Sequence, residues 1–199
     1  MGNLTSNEMK IILKLFKDFN SRYNANSLSK EIGITPMGTL KILKKLYNQK
    51  ILKQEYMGKA IFYSIDFDSD YAKSYIKFLL QKEAQESIPR VKRWISELRK
   101  LEQDAEIGIL FGSVLRYKEF NDVDTLLVIK EKNLKKLKEL IKEINIINTK
   151  AVHPIWQTIE DIKKNILKED KVVLESLKRG IVLFGYDRFV EVVSNVARR

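Results

Sequence analysis

Asp122 and Asp124 stand two positions apart at the head of an apolar run, DVDTLLVI. Side chains alternate along a strand, so both carboxylates fall on one face, one pleat apart. Two acids side by side on a buried strand repel each other and resist desolvation unless a cation sits between them. Mg²⁺ is the cation expected here, because it takes oxygen ligands and is commonly held by one or two carboxylates plus phosphate oxygens. Upstream, a second apolar stretch, IGILF, runs into Gly112-Ser113. Glycine lets a ligand approach the backbone closely. The N–H groups that follow it, with the Ser113 hydroxyl, suit a phosphate.

Strand, Gly-Ser, a loop, Asp-x-Asp and strand, in that order, resembles the DNA polymerase β-like nucleotidyltransferase superfamily, in particular its small, minimal members. The later segments VHPIWQTIEDIKK and ESLKRGIVLFGYDRF are similar to the closing strand, helix and Gly-Ile-x-Leu-x-Gly stretch of those proteins. The resemblance thus spans most of residues 104–190. It implies a small mixed-sheet domain in which Asp122 and Asp124 are catalytic, metal-binding carboxylates. Gly112 and Ser113 would bind the phosphates of a nucleoside triphosphate, with ATP the first expectation and Mg²⁺ the cofactor. The implied activity moves a nucleoside monophosphate onto an acceptor, protein or RNA, that the sequence does not identify. The family's third carboxylate comes from a later neighbouring strand. The matching segment here, IINTKAVHPIWQT, holds no Asp or Glu; His153 stands in that region, and Glu160 and Asp161 begin the next helix. Arg116 is followed by Tyr117, where the family commonly has Gly. Whether the chain is an enzyme stays open at this point.

The elements that precede this site are of another kind. Residues 7–20 space their apolar side chains as a helix does, with Thr5, Ser6 or Asn7 available as N-cap. SLSKEI, closed by Gly33, reads as a short second helix over 27–32. Thr35 caps a third, residues 36–49, with Pro36 at its first position. That helix buries Leu40, Leu43 and Leu46 and exposes Lys41, Lys44 and Lys45. ILKQEY and AIFYSID, joined by Met57-Gly58-Lys59, read as a hairpin. Helix, short helix, turn, helix and hairpin over about residues 5–67 resembles a winged helix-turn-helix domain. The resemblance implies DNA binding, with residues 36–49 as recognition helix and 56–60 as wing tip. Thr35, Met37, Thr39 and Lys41 are then the base-proximal candidates, while Lys44, Lys45 and Lys59 would contact phosphate.

Composition agrees with a nucleic-acid partner for this half. The chain of 199 residues carries a net charge of +11. Residues 1–103 hold 19 basic against 11 acidic side chains, and the remainder 18 against 15. A Lys-rich proteome would produce a similar excess. The absence of cysteine excludes disulfides, thiolate metal sites and cysteine nucleophiles. No apolar run approaches spanning length and the first residues do not read as a signal peptide, so the expectation is a cytoplasmic protein with no membrane partner.

The expected architecture is α+β. A winged helix-turn-helix domain (1–68) leads through a helical connector (69–103) into a nucleotidyltransferase-like domain (104–199). Pro89 divides the connector into two helices or kinks one. Its Tyr71, Tyr75 and Phe78 suit either a core or the seam of a homodimer. Residues 159–179 read as one helix ending at Gly180, with Lys178 and Arg179 as surface charge. Two functions remain: a DNA-binding protein whose second domain binds Mg²⁺–NTP and transfers a nucleotide, or a non-catalytic transcriptional regulator in which that domain is a sensor, dimeriser or relic. A partner-binding module of a two-gene defence system is a third setting for such domains.

Overall fold

The structure, a computed structural model, describes residues 5–197. It divides into two compact units, Met1–Leu79 with Val193–Arg199, and Leu80–Val192. The secondary structure is mixed α and β with two small sheets.

The first unit opens with helix α1 (Ser6–Lys17), held at its start by a reciprocal capping box between Thr5 and Glu8. A two-residue strand β1 (Tyr23–Asn24) leads into α2 (Ala25–Ile32). The sequence suggested a start at Ser27. Asn24 takes the cap instead, accepting from the Ser27 N–H at 2.9 Å, and Ser27 becomes the third helical residue of the box. Gly33, at φ 77°, supplies the left-handed residue that ends α2. Then follow α3 (Pro36–Asn48), capped by Thr35, and the strands β2 (Leu52–Met57) and β3 (Ala60–Ile65). The hairpin gains β1 as a third, antiparallel strand, in the order β1-β3-β2. Two residues are too few to show alternation, which is why the sequence did not reveal β1.

Helix α1 packs on α2 and β3, and α3 on α2 and β2. Ile11, Ile12, Phe16, Leu28, Leu43 and Leu46 are fully enclosed. Each contributes about 1.5–3 kcal/mol by leaving water. Leu40 is only half-buried, and Thr39 takes the inward position expected of it. One acid sits beside this core. Glu8 is 3% exposed and accepts from Lys45 Nζ at 2.5 Å. Burial pushes its carboxyl up, but hydrogen bonds from Lys45 and Thr5, with the Lys45 charge, outweigh that and hold it below the usual carboxylate range.

Helix α4 (Asp70–Gln85) carries the chain across the division between the units, and α5 (Pro89–Leu98) belongs to the second. Residues 69–103, expected as one connector, are therefore shared between the units. Pro89 opens α5 at its first turn rather than kinking one long helix. No helix among the described residues is long and apolar enough to cross a membrane.

In the second unit, β4 (Ala105–Phe111) turns through the four-residue helix α6 (Ser113–Arg116) into β5 (Asp122–Ile129). Helix α7 (Leu134–Ile147) crosses to β6 (Ala151–Gln157). Helices α8 (Ile159–Leu167) and α9 (Lys171–Arg179) and strand β7 (Ile181–Phe184) follow, and α10 (Tyr186–Ala197) runs on from this unit into residues grouped with the first. The sheet order is β6-β5-β4-β7, with β5 and β6 parallel and the other pairs antiparallel. Parallel neighbours need a crossover, and α7 is that crossover. Leu110, Val123, Leu127, Val152 and Leu183 from the sheet share a core with Trp94, Leu98, Leu137, Ile141 and Ile144 from helices.

Two boundaries differ from the sequence reading. Helix α7 continues through Ile146 and Ile147, which are 84% and 74% exposed, so β6 begins only at Ala151. The stretch 159–179 is two helices, because Glu169 adopts φ 54° and the Asp170 carboxylate caps a new helix at Val172 and Val173.

The Glu8–Lys45 pair yields a stability prediction. Glu8 titrates below its ordinary 4.5, so its contribution is present above that pH and is lost as pH falls through the folded value. Lys45→Met should therefore destabilise the full chain by about 1–3 kcal/mol at pH 7. The deficit relative to wild type should shrink in thermal unfolding at pH 3. Equal melting temperatures at pH 7 would contradict this assignment.

Candidate functional site

Strand β5 places Asp122 and Asp124 half-buried on one face, while Val123 and Thr125 between and after them are fully buried on the other. Across the parallel ladder, the register partner of Asp124 is His153 of β6. Because β6 is an edge strand, the His153 side chain stays 61% exposed, with Nδ1 3.5 Å from Asp122 Oδ2. One ligand atom from each of Asp122, Asp124 and His153 lies within 4.8 Å of the other two. The sequence placed His153 in the region of the missing third carboxylate, and the parallel register of β5 with β6 sets it beside the acids.

On the other side of Asp124, its antiparallel partner is Phe111, the last residue of β4. Gly112 follows at φ 83° and ψ −152°. A Cβ there would collide with Asp124 Oδ2, so the backbone of Gly112 lies directly against the carboxylate. Ser113 comes next, and its Oγ is buried without a hydrogen-bond partner among the described residues. A buried hydroxyl left unsatisfied costs about 1–3 kcal/mol. Burial raises the Asp124 carboxyl above its usual range, and the neighbouring Asp122 adds to the rise, while His153 opposes it. A pair of adjacent acids has one imidazole beside it, and at the end of β4 a glycine and an orphaned hydroxyl follow. The donor set fits one divalent cation with a phosphate group beside it.

The other acids weighed from sequence do not join this cluster. Asp161 accepts from the Thr158 N–H and hydroxyl as the capping partner of α8. Thr158 lies five residues beyond His153, about 16 Å along an extended chain. Arg179 donates to Glu175 at 2.9 Å, and Arg116 to the same carboxylate at 2.5 Å, so both are paired surface cations.

The first unit presents a separate surface. Helix α3 holds three lysines and no acid. Met37 is 66% exposed at its start, and Lys41 and Lys44 face solvent. Tyr56, 67% exposed, and Lys59 mark the tip of the hairpin, where Gly58 has φ 59°. Thr35 is exposed and accepts from the Gly38 N–H as the helix cap. One of the expected contacts is corrected. Thr39 is fully buried, with its hydroxyl donated to the Thr35 carbonyl at 3.1 Å, so it has no access to a ligand. Lys45 pairs with the buried Glu8 while its own side chain stays half-exposed.

No protein-family model matches the chain, and no curated protein sequence does. Among solved structures, a cysteine-to-serine mutant of ZitR from Lactococcus lactis is 13% identical, over 74% of this chain and 77% of that one, with a TM-score of 0.34. A likeness at that level identifies neither a fold nor a function for this chain.

Proposed function

We propose that this chain is a DNA-binding protein of winged-helix type whose second unit holds a divalent cation together with the phosphates of a nucleoside triphosphate. The observation that carries the second half is the meeting of Asp122, Asp124 and His153 beside Gly112. Asp122 and Asp124 supply anionic oxygens to the cation. The backbone of Gly112 packs against the Asp124 carboxylate and holds it in place, and the unpartnered Ser113 hydroxyl donates to a phosphate oxygen. A cation held by Asp122 and Asp124 would stabilise the charge that develops as an acceptor hydroxyl attacks the α-phosphorus and pyrophosphate leaves. Mg²⁺ is the expectation from the carboxylates alone, and ATP the nucleotide to test first.

His153 favours a second reading of the same site, a regulator that binds nucleotide without transferring it. Two carboxylates with a neutral imidazole carry two negative charges and balance one divalent ion. Two ions would be left with charge that only a third acid or the substrate offsets. Label from α-³²P-ATP separates the readings. Transfer to a co-purified protein or RNA that disappears in Asp122→Ala/Asp124→Ala supports the enzyme. Nucleotide binding without transfer selects the regulator. No binding at millimolar nucleotide with Mg²⁺ or Mn²⁺ contradicts both.

A stability test follows from Asp124. An acid raised in the folded state destabilises the fold as pH climbs through its unfolded and then its folded value, and a bound cation reverses this. Asp124→Asn should therefore match or exceed the wild-type melting temperature at pH 7 in chelator, and should lose the stabilisation that divalent cation plus ATP gives wild type. A variant still stabilised by cation and ATP as strongly as wild type would contradict the role of Asp124.

The DNA-binding half rests on the acid-free outer face of α3 and the exposed Tyr56 and Lys59 of the hairpin. Pairing of two copies through Tyr71 and Phe78, both exposed on α4, belongs to the same proposal and would double the interface with DNA. Binding should weaken steeply with salt. Replacing Lys41 or Lys44 by Ala should cut affinity and reduce the slope of log affinity against log salt by about 0.9 for each phosphate no longer neutralised. Fluorescence anisotropy with mixed-sequence duplex at 50 and 200 mM salt checks this. No association at 50 mM salt would contradict the proposal.

A further inference from the structure

We infer that Asp122, Asp124 and His153 together form a site selective for a first-row divalent transition ion over Mg²⁺, with the His153 imidazole as a direct ligand. The inference rests on the cation-binding reading above and deepens it by naming the ion class. Its basis is the ladder geometry. His153 lies opposite Asp124 in the parallel register and turns Nδ1 toward Asp122 Oδ2, at 3.5 Å. Neighbouring ligands on one small divalent ion, each bound at about 2.0–2.2 Å, stand about 2.8–3.6 Å apart. His153 Nδ1 and Asp122 Oδ2, at 3.5 Å, already have that spacing, and all three donors lie within 4.8 Å of one another. Side-chain rotation on the order of 1 Å closes the set, and the 61% exposed His153 side chain has the freedom to make it.

The chemistry of the donors then sets the choice of ion. Mg²⁺ takes oxygen ligands, prefers near-ideal octahedral geometry and sheds water reluctantly, so an imidazole contributes little to holding it. Imidazole nitrogen suits iron, nickel, copper and zinc, and affinities for mixed nitrogen–oxygen sites rise from Mn²⁺ toward Cu²⁺. Two carboxylates and one imidazole would leave the remaining positions of the ion to water or to phosphate oxygens. Where a third acid would make the site all-oxygen and suited to Mg²⁺, His153 makes it a mixed one.

The sequence offers a clean readout, because His153 is its only histidine and it has no cysteine. In the tag-free, full-length chain, any imidazole response to a metal reports on His153 alone. Isothermal titration with Zn²⁺, Mn²⁺ and Mg²⁺, with long-range ¹H–¹⁵N spectra of the imidazole, tests the inference in wild type, His153→Ala and Asp122→Asn/Asp124→Asn. Wild type should bind one Zn²⁺ on the order of 100-fold more tightly than Mg²⁺, with the Nδ1 and Nε2 resonances shifting in step. His153→Ala should lose at least about tenfold in Zn²⁺ affinity with Mg²⁺ affinity unchanged. His153→Asp should shift the preference toward Mg²⁺. Apo melting temperatures no lower than that of wild type confirm that these substitutions leave the fold intact. Zn²⁺ and Mg²⁺ bound equally well, or Zn²⁺ binding indifferent to His153→Ala, would overturn the inference while leaving the cation reading standing if the double Asn variant abolishes binding. Undiminished binding in the double Asn variant, or no cation bound by wild type, would overturn both.

Discussion

Repulsion between Asp122 and Asp124 is the constraint on which the candidate site depends. Strand β5 could present two acids to solvent at little cost. Instead the antiparallel neighbour β4 delivers Gly112 against Asp124, and the parallel neighbour β6 delivers His153 against Asp122. The acids are thereby half-enclosed from both sides, and burial together with Asp122 raises the Asp124 carboxyl above its usual range. Such an arrangement persists only where the scaffold overrides it, and the scaffold here is a sheet whose opposite face is a continuous apolar core.

The topology explains why the three donors meet at one end. Parallel strands run in the same direction, so β5 and β6 bring early residues, Asp122 and His153, to the same edge of the sheet. The antiparallel β4 contributes its last residues there, and the Gly112-Ser113 turn follows without a gap. The crossover α7 is fixed by Leu137, Ile141 and Ile144 in the shared core, so the register of β6 is set by apolar packing remote from the acids. The basic surface of the first unit is organised differently. It includes Glu8, buried and paired with the half-exposed Lys45, and Thr39 as an inward-facing helix residue, and the types of Glu8 and Thr39 alone would have placed both outside.

Much of this was legible along the chain wherever the signal was local. Alternation in DVDTLLVI put both acids on one face, Thr35-Pro36 marked the start of α3, and Gly33 marked the end of α2. What escaped was set by partners distant in sequence or by competition between neighbouring caps. The place of His153 beside Asp122 comes from the β5–β6 register, and the pairing of Lys45 with Glu8, 37 positions earlier, comes from the packing of α3 near α1. Thr39 and Leu40 exchanged inside for half-exposed, because a helix of mixed neighbours offers two nearly equivalent inward positions. Asn24 displaced Ser27 as a cap, and Glu169-Asp170 broke a stretch whose apolar period runs on without interruption.

The central claim is that a divalent ion sits between β5 and β6 on these three side chains. Anomalous diffraction at the manganese edge, from crystals grown with Mn²⁺ and a non-hydrolysable ATP analogue, tests it most directly. The account predicts a single strong peak about 2.0–2.3 Å from carboxylate oxygens of Asp122 and Asp124 and from a His153 ring nitrogen, with phosphate density reaching Ser113. Ordered Asp122 and Asp124 side chains with no anomalous peak between them, under saturating Mn²⁺ and nucleotide, would contradict it.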